Sequence, residues 1–109
     1  MQITLTPVRM ATPLSLERTG DILTLNGTAF DLTPLLEGAT LPREAVACDW
    51  LASDVERIDG ALHLTLILPH DATAPSETLF PAPIINPQDG PVALPIFSTP
   101  ATEDEANGN

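Results

Sequence analysis

The sequence predicts an all-β fold: a small sandwich or partly open barrel of six to eight short hairpin-linked strands, with a proline-rich extended C-terminal arm. Three observations predict it. Twelve prolines are spread over the 109 residues, and only the windows 14–33 and 43–68 run for 20 residues or more without one. Proline restricts helix both at its own position and at the residue before it. Both open windows are cut by turn dipeptides, Thr19-Gly20-Asp21 and Asn26-Gly27 in the first and Asp59-Gly60 in the second. Between the turns, apolar and polar residues alternate with the two-residue period of a half-buried strand.

Taken in chain order, Ile3 and Leu5 share one face of the first strand, with Gln2, Thr4 and Thr6 on the other. Leu14-Ser-Leu-Glu-Arg18 leads through Thr19-Gly20 into Asp21-Ile-Leu-Thr-Leu25. Asn26-Gly27 then turns the chain into Thr28-Ala-Phe-Asp-Leu32, where Phe30 and Leu32 face one way. The clearest strand is Ala61-Leu-His-Leu-Thr-Leu-Ile-Leu68, with Leu62, Leu64, Leu66 and Leu68 on one side. It follows Asp59-Gly60 directly, so residues 53–58 are expected to be its hairpin partner. A last hairpin is expected over 84–94, around Gln88-Asp89-Gly90.

Two segments carry signals for a single helical turn. Thr33-Pro34-Leu-Leu-Glu-Gly38 offers an N-cap, a proline at the first helical position and a glycine stop. Leu41-Pro42-Arg-Glu-Ala45 can begin another. Ser53-Asp-Val-Glu56 matches a capping box, but the turn and strand after it make that match accidental. Residues 16–25 and 55–64 both read Glu-Arg, a Gly/Asp pair, then leucines two apart: Glu17-Arg18 with Leu23/Leu25, and Glu56-Arg57 with Leu62/Leu64. Duplication of one hairpin and convergence of two both account for this.

Residues 1–100 are expected to form one β-rich domain. Its part 69–100 is rich in Pro, Ala, Ser and Thr, with apolar insertions at Leu79-Phe80, Ile84-Ile85 and Val92-Ala-Leu94, and is expected to hug the sheet in extended segments. Residues 101–109 (ATEDEANGN) have no apolar anchor and read as a disordered acidic tail.

Hydrophobic residues make up 43% of the chain and aromatics only 4%, with no tyrosine, so the core must be mainly Leu, Ile, Val and Ala. Trp50 is expected at the centre of that core, with an interface anchor as its other reading. Fifteen acids face four arginines and no lysine, for a net charge of −11. Arg9, Arg18, Arg43 and Arg57 are scattered, so no basic cluster offers to displace counterions from nucleic acid or an anionic membrane. Neither is an expected partner.

Cys48 is the only cysteine, which excludes an intramolecular disulfide and starves any cysteine-based metal site. Met1 is followed by alternating residues without a basic start, and no apolar run reaches the roughly 18 residues of a membrane span. Expression in a reducing cytoplasm is the expectation. A nucleophilic triad would need Ser or Cys beside a positioned His. His63 lies on the face opposite the leucines of its strand, and His70 beyond the strand's end. Seven strand residues separate them by roughly 23 Å, too far to share one ion. Glycine-rich phosphate loops are absent. No catalytic, cofactor-binding or metal-binding residue is assigned, and no enzyme activity or cofactor is expected.

The stretch Asp54-Val-Glu-Arg-Ile-Asp-Gly-Ala-Leu-His-Leu-Thr-Leu-Ile-Leu-Pro-His70, with Ala74-Pro75, Leu79-Phe80-Pro-Ala-Pro83 and Asp89-Gly-Pro-Val-Ala-Leu-Pro95, resembles small uncharacterised proteins encoded among bacterial prophage tail genes. The likeness runs over most of residues 1–95 and consists of hairpin and proline features. It implies a non-enzymatic structural or assembly protein, an accessory component of a phage tail. Such a protein would work through contacts with other phage structural proteins or through self-association, and would pass from the bacterial cytoplasm into the virion. The charge supports a different expectation, an acidic inhibitor that mimics nucleic acid and occupies a basic host protein; this needs carboxylates in rows at phosphate-like spacing. A carbohydrate-binding module is a third reading, for which exposed aromatics are scarce.

Overall fold

In the computed structural model, which describes residues 1–97, two β-sheets pack face to face around an aliphatic core. The strands are β1 (Gln2–Arg9), β2 (Leu16–Thr19), β3 (Ile22–Leu25), β4 (Thr28–Asp31), β5 (Thr40–Leu41), β6 (Val55–Ile58), β7 (Ala61–His70), β8 (Ile84–Ile85) and β9 (Gly90–Val92). One sheet has the order β5-β6-β7-β1-β8 and the other β4-β3-β2-β9. Seven strands of three or more residues are joined by the two-residue β5 and β8 at the edges of the larger sheet. The expected tail, 101–109, lies outside the described residues.

The leucine alternation does what its period dictates. Leu62, Leu64, Leu66 and Leu68 of β7 are buried, as are Ile3 and Leu5 of β1 and Leu23 and Leu25 of β3. Together with Leu16, Leu32, Leu51 and Val55 they form the core. Trp50 is not at its centre: it is half-buried at the rim, and Phe30 packs there too. The middle is occupied by branched aliphatics such as Leu66, which fill a narrow inter-sheet gap better than one indole.

Three hairpins form at the expected dipeptides. Asn26 (φ 49°) and Gly27 (φ 85°) close β3 on β4, and Asp59 (φ 51°) and Gly60 (φ 81°) close β6 on β7. Two successive positive φ angles are what a type I′ hairpin turn requires, and Asn, Asp and Gly tolerate them best. The β2–β3 turn instead places Gly20 (φ 58°) first, followed by Asp21.

The repeated Glu-Arg segments occupy equivalent places in opposite sheets. Arg18 pairs with Leu23 in one hairpin and Arg57 with Leu62 in the other. Each arginine also donates to its own turn, Arg18 Nε to Gly20 O at 2.8 Å and Arg57 Nη1 to Gly60 O at 3.2 Å.

Other expectations are corrected. Residues 84–94 form no hairpin: β8 pairs with β1 in the larger sheet, and β9 pairs with β2 in the smaller. The turn Asn86 (φ 46°) to Asp89 therefore carries the chain from one sheet to the other. The centre of the larger sheet is a parallel pair, β1 with β7, eight residues in register from Gln2↔His63 to Arg9↔His70.

Residues 33–38 make two successive turns rather than a helical one, with Leu35 N bonded to Leu32 O and Ala39 N to Leu36 O. The cause is Arg57, whose guanidinium takes the carbonyls of Leu32 and Leu35, while Gly38 N donates to Arg57 O. A 3₁₀ turn does form at Arg43–Ala45. An unexpected helical turn, α1 (Ser76–Leu79), interrupts the proline-rich arm, started by Pro75.

Candidate binding surface

Segment 79–85 begins at Leu79, the last residue of α1, and ends in β8. Its two ends are fixed. At the first, Thr78 has no exposed surface and its Oγ1 donates to Ile96 O at 2.6 Å, while Phe80 N caps α1 by donating to Ser76 O at 2.8 Å. At the second, Asn86 is held by Met1: its N donates to Met1 O at 2.7 Å, and its Oδ1 accepts from the Met1 ammonium at 2.7 Å. Burial holds that ammonium below the ordinary amine range, as does nearby Arg18; Asp21 acts the other way. Next along, the guanidinium of Arg18 donates to Pro87 O, and Gly20 N donates to Asp89 Oδ1 at 3.0 Å.

Between these anchors the apolar side chains are turned outward. Phe80 is 82% exposed, Ile85 58% and Leu79 40%. This departs from the expectation that the insertions at Leu79-Phe80 and Ile84-Ile85 hug the sheet; Ile84 alone of the four packs against the core. No ionisable side chain occurs from Thr78 to Gln88, a stretch flanked by Glu77 and Asp89.

The backbone of this edge is closed to further pairing. Asn86 N and the Ile84↔Ile3 pair face β1, so residues 83, 85 and 87 face outward by alternation. Two of those are prolines, which leaves Ile85 with the only outward N–H. On β1, Pro7 shares the orientation of Met1 and Ile3, and it withholds a donor where β8 has ended.

A second surface lies on the outer face of the larger sheet. Between Leu51↔Leu66 and Glu56↔His63 the chain before and within β6 advances five residues while β7 advances three. Ser53 and Asp54 are the surplus, a bulge. They wall an open groove of about 340 Å³ that Gln2, Thr4, Glu56, His63 and Thr65 also line.

Ser53 Oγ is committed twice, accepting from Thr65 N at 2.8 Å and donating to Asp54 O at 2.8 Å. It replaces the backbone acceptor lost at the bulge and is not poised as a nucleophile. His70 sits at the other end of β7, where its Nδ1 lies 2.9 Å from Asp71 O. Cys48 is half-buried against the core rim. Among the described residues no three His, Cys, Asp or Glu side chains stand close enough to hold a metal ion, and no helix is long and apolar enough to cross a membrane.

The charges sort in a consistent way. Arg18, Arg43 and Arg57 spend their guanidinium groups on backbone carbonyls, and Arg57 also on Asp21. Arg9 alone of the four makes no such bond. Asp31, Glu37, Asp54, Asp71 and Asp89 each accept a backbone N–H in a separate turn. Asp31 and Asp71 cap their own turns, while Glu37, Asp54 and Asp89 reach across to the turns at Asp59-Gly60, Arg43 and Gly20, an arrangement that differs from a row of carboxylates along one face.

The chain matches no protein-family model, no curated protein and no solved structure.

Proposed function

We propose that this chain is a non-enzymatic structural or assembly protein that acts by binding another protein, with the tail of a bacteriophage as its setting. The observation that carries the binding reading is segment 79–85: outward-facing Leu79, Phe80 and Ile85 on an uncharged stretch, fixed at both ends by Thr78 and Asn86. A surface aromatic held in place costs little entropy to bind, and aromatics dominate binding energy at protein interfaces. The phage setting rests on the resemblance of residues 1–95 to proteins encoded among prophage tail genes. The nucleic-acid-mimic reading has less behind it, because five carboxylates are each bonded to backbone N–H groups of separate turns.

Two comparisons test the proposal. Quantitative mass spectrometry of purified particles from induced source cells is expected to find this polypeptide at stoichiometric level; its absence from particles, with abundance in the lysate, contradicts the tail setting. Affinity capture with the wild-type chain and with Phe80→Ser is expected to retain a defined partner on the first bait only. A chain with no partner that distinguishes the two baits contradicts the binding reading.

A further inference from the structure

We infer that the partner of segment 79–85 is a different protein, one offering an apolar pocket rimmed by lysine or arginine, and not a second copy of this chain. The inference rests on the binding reading above and adds the chemistry of what is bound.

With Pro83 and Pro87 facing outward, the edge beyond β8 offers one N–H, so a partner cannot dock by adding a strand. Contact must run through side chains. The ones available are Phe80, Ile85 and Leu79, in that order of exposure, which fit a pocket rather than a flat sheet.

Charge then selects among pockets. The strip carries no ionisable side chain from Thr78 to Gln88 and is bordered in sequence by Glu77 and Asp89, with the Met1 ammonium on Asn86 and the Arg18 guanidinium on Pro87 at its second end. Both cations are bonded to the chain's own groups, and fifteen acids against four arginines leave the molecule strongly negative, which favours a basic partner over a second copy. Two copies meeting here would bring Glu77 and Asp89 toward like charges, each on a chain of net charge −11. A rim of basic residues turns the same borders into attraction and speeds encounter.

The test places a photo-crosslinking amino acid at exposed Ala82, inside the strip but off its three anchors, in the full chain within source-cell lysate. Crosslinked peptides are identified by mass spectrometry, and sedimentation velocity of the purified chain is run at low and high salt. The expected result is a monomer at both salt concentrations. The crosslink should map to an apolar site flanked by Lys or Arg on another protein, and capture should fall at least tenfold between low and high salt. A crosslink to a second copy, a salt-independent complex, or a crosslink to an acidic surface overturns this inference and leaves protein binding standing. No crosslink at all, with the Ala82 variant folded, overturns both.

Discussion

Arg57 Nη2 lies 2.9 Å from Asp21 Oδ2, and this bond ties the turn of one sheet to a strand of the other. It is the only ion pair among the described residues. The same guanidinium also reaches the carbonyls of Leu32, Leu35 and Gly60, so one half-buried side chain closes that end of the sandwich. Arg18 does the corresponding work for the binding surface, joining its own turn to Pro87.

Replacing Arg57 is therefore expected to cost more than a surface ion pair. Arg57→Ala removes the guanidinium from the carbonyls of Leu35 and Gly60 and from the Asp21 carboxylate, and leaves Leu32 O with Leu35 N alone; a loss of about 3 kcal/mol is expected from chemical denaturation. Arg57→Lys should recover little, since a point charge cannot reproduce the planar fork. Asp21→Asn removes only the charge and should cost about 0.5–1 kcal/mol.

The Asn26 turn offers a second case. Its side chain accepts from Ser15 N at 2.7 Å and donates to Pro13 O at 3.2 Å, at a φ of 49°. Asn26→Ala forfeits both bonds and strains a positive-φ position, so a loss of about 2 kcal/mol is expected by thermal or urea unfolding. Gly27→Ala meets no atom within 4 Å and should cost only the backbone term, about 1 kcal/mol.

In the core, Leu66 has no exposed surface and sits mid-strand between the sheets. Leu66→Ala is expected to cost about 3 kcal/mol through lost burial and the cavity left behind. Phe80→Ser, at 82% exposure, should change stability by less than about 0.5 kcal/mol while abolishing partner capture. A large loss of stability in Phe80→Ser would place that ring in the fold's own packing.

Asp31 carries a pH signature. Hydrogen bonds from the Thr33 side chain and backbone hold its carboxyl below the ordinary aspartate value. Its ionised form is thus favoured by folding. The stability it contributes is present above the unfolded pKa and fades as pH falls through the depressed folded value. Carboxyl NMR should show Asp31 titrating below an unperturbed aspartate, and Thr33→Ala should move it back up. An unshifted Asp31 contradicts the capping geometry.

Much of this fold was legible because local signals suffice for it. Leu62, Leu64, Leu66 and Leu68 declare their strand, and Asn26-Gly27 and Asp59-Gly60 declare their hairpins, since period and turn conformation are properties of neighbouring residues. Long-range choices left no such trace. Nothing around Ile3 says that β1 will lie parallel to β7, some sixty residues away. Gln88-Asp89-Gly90 looks like a hairpin turn whether its flanks pair with each other or, as here, with β1 and β2. The helix signal at Thr33-Pro34 was real locally and lost to Arg57. The binding surface was half visible: the apolar insertions at Leu79-Phe80 and Ile84-Ile85 were plain, but their exposure depends on where Thr78 and Asn86 are anchored, by Ile96 and by Met1.

The most direct test of the central claim is amide hydrogen exchange of the wild-type chain, free and with its captured partner. Residues 79–85 carry amides at Leu79, Phe80, Ala82, Ile84 and Ile85. The expected result is slowed exchange concentrated in this segment and at Glu77 and Asp89 beside it, with the groove at Ser53 and His63 unchanged. Unchanged exchange across 79–85, with protection arising elsewhere on the sandwich, would contradict the claim that this strip is where the protein binds.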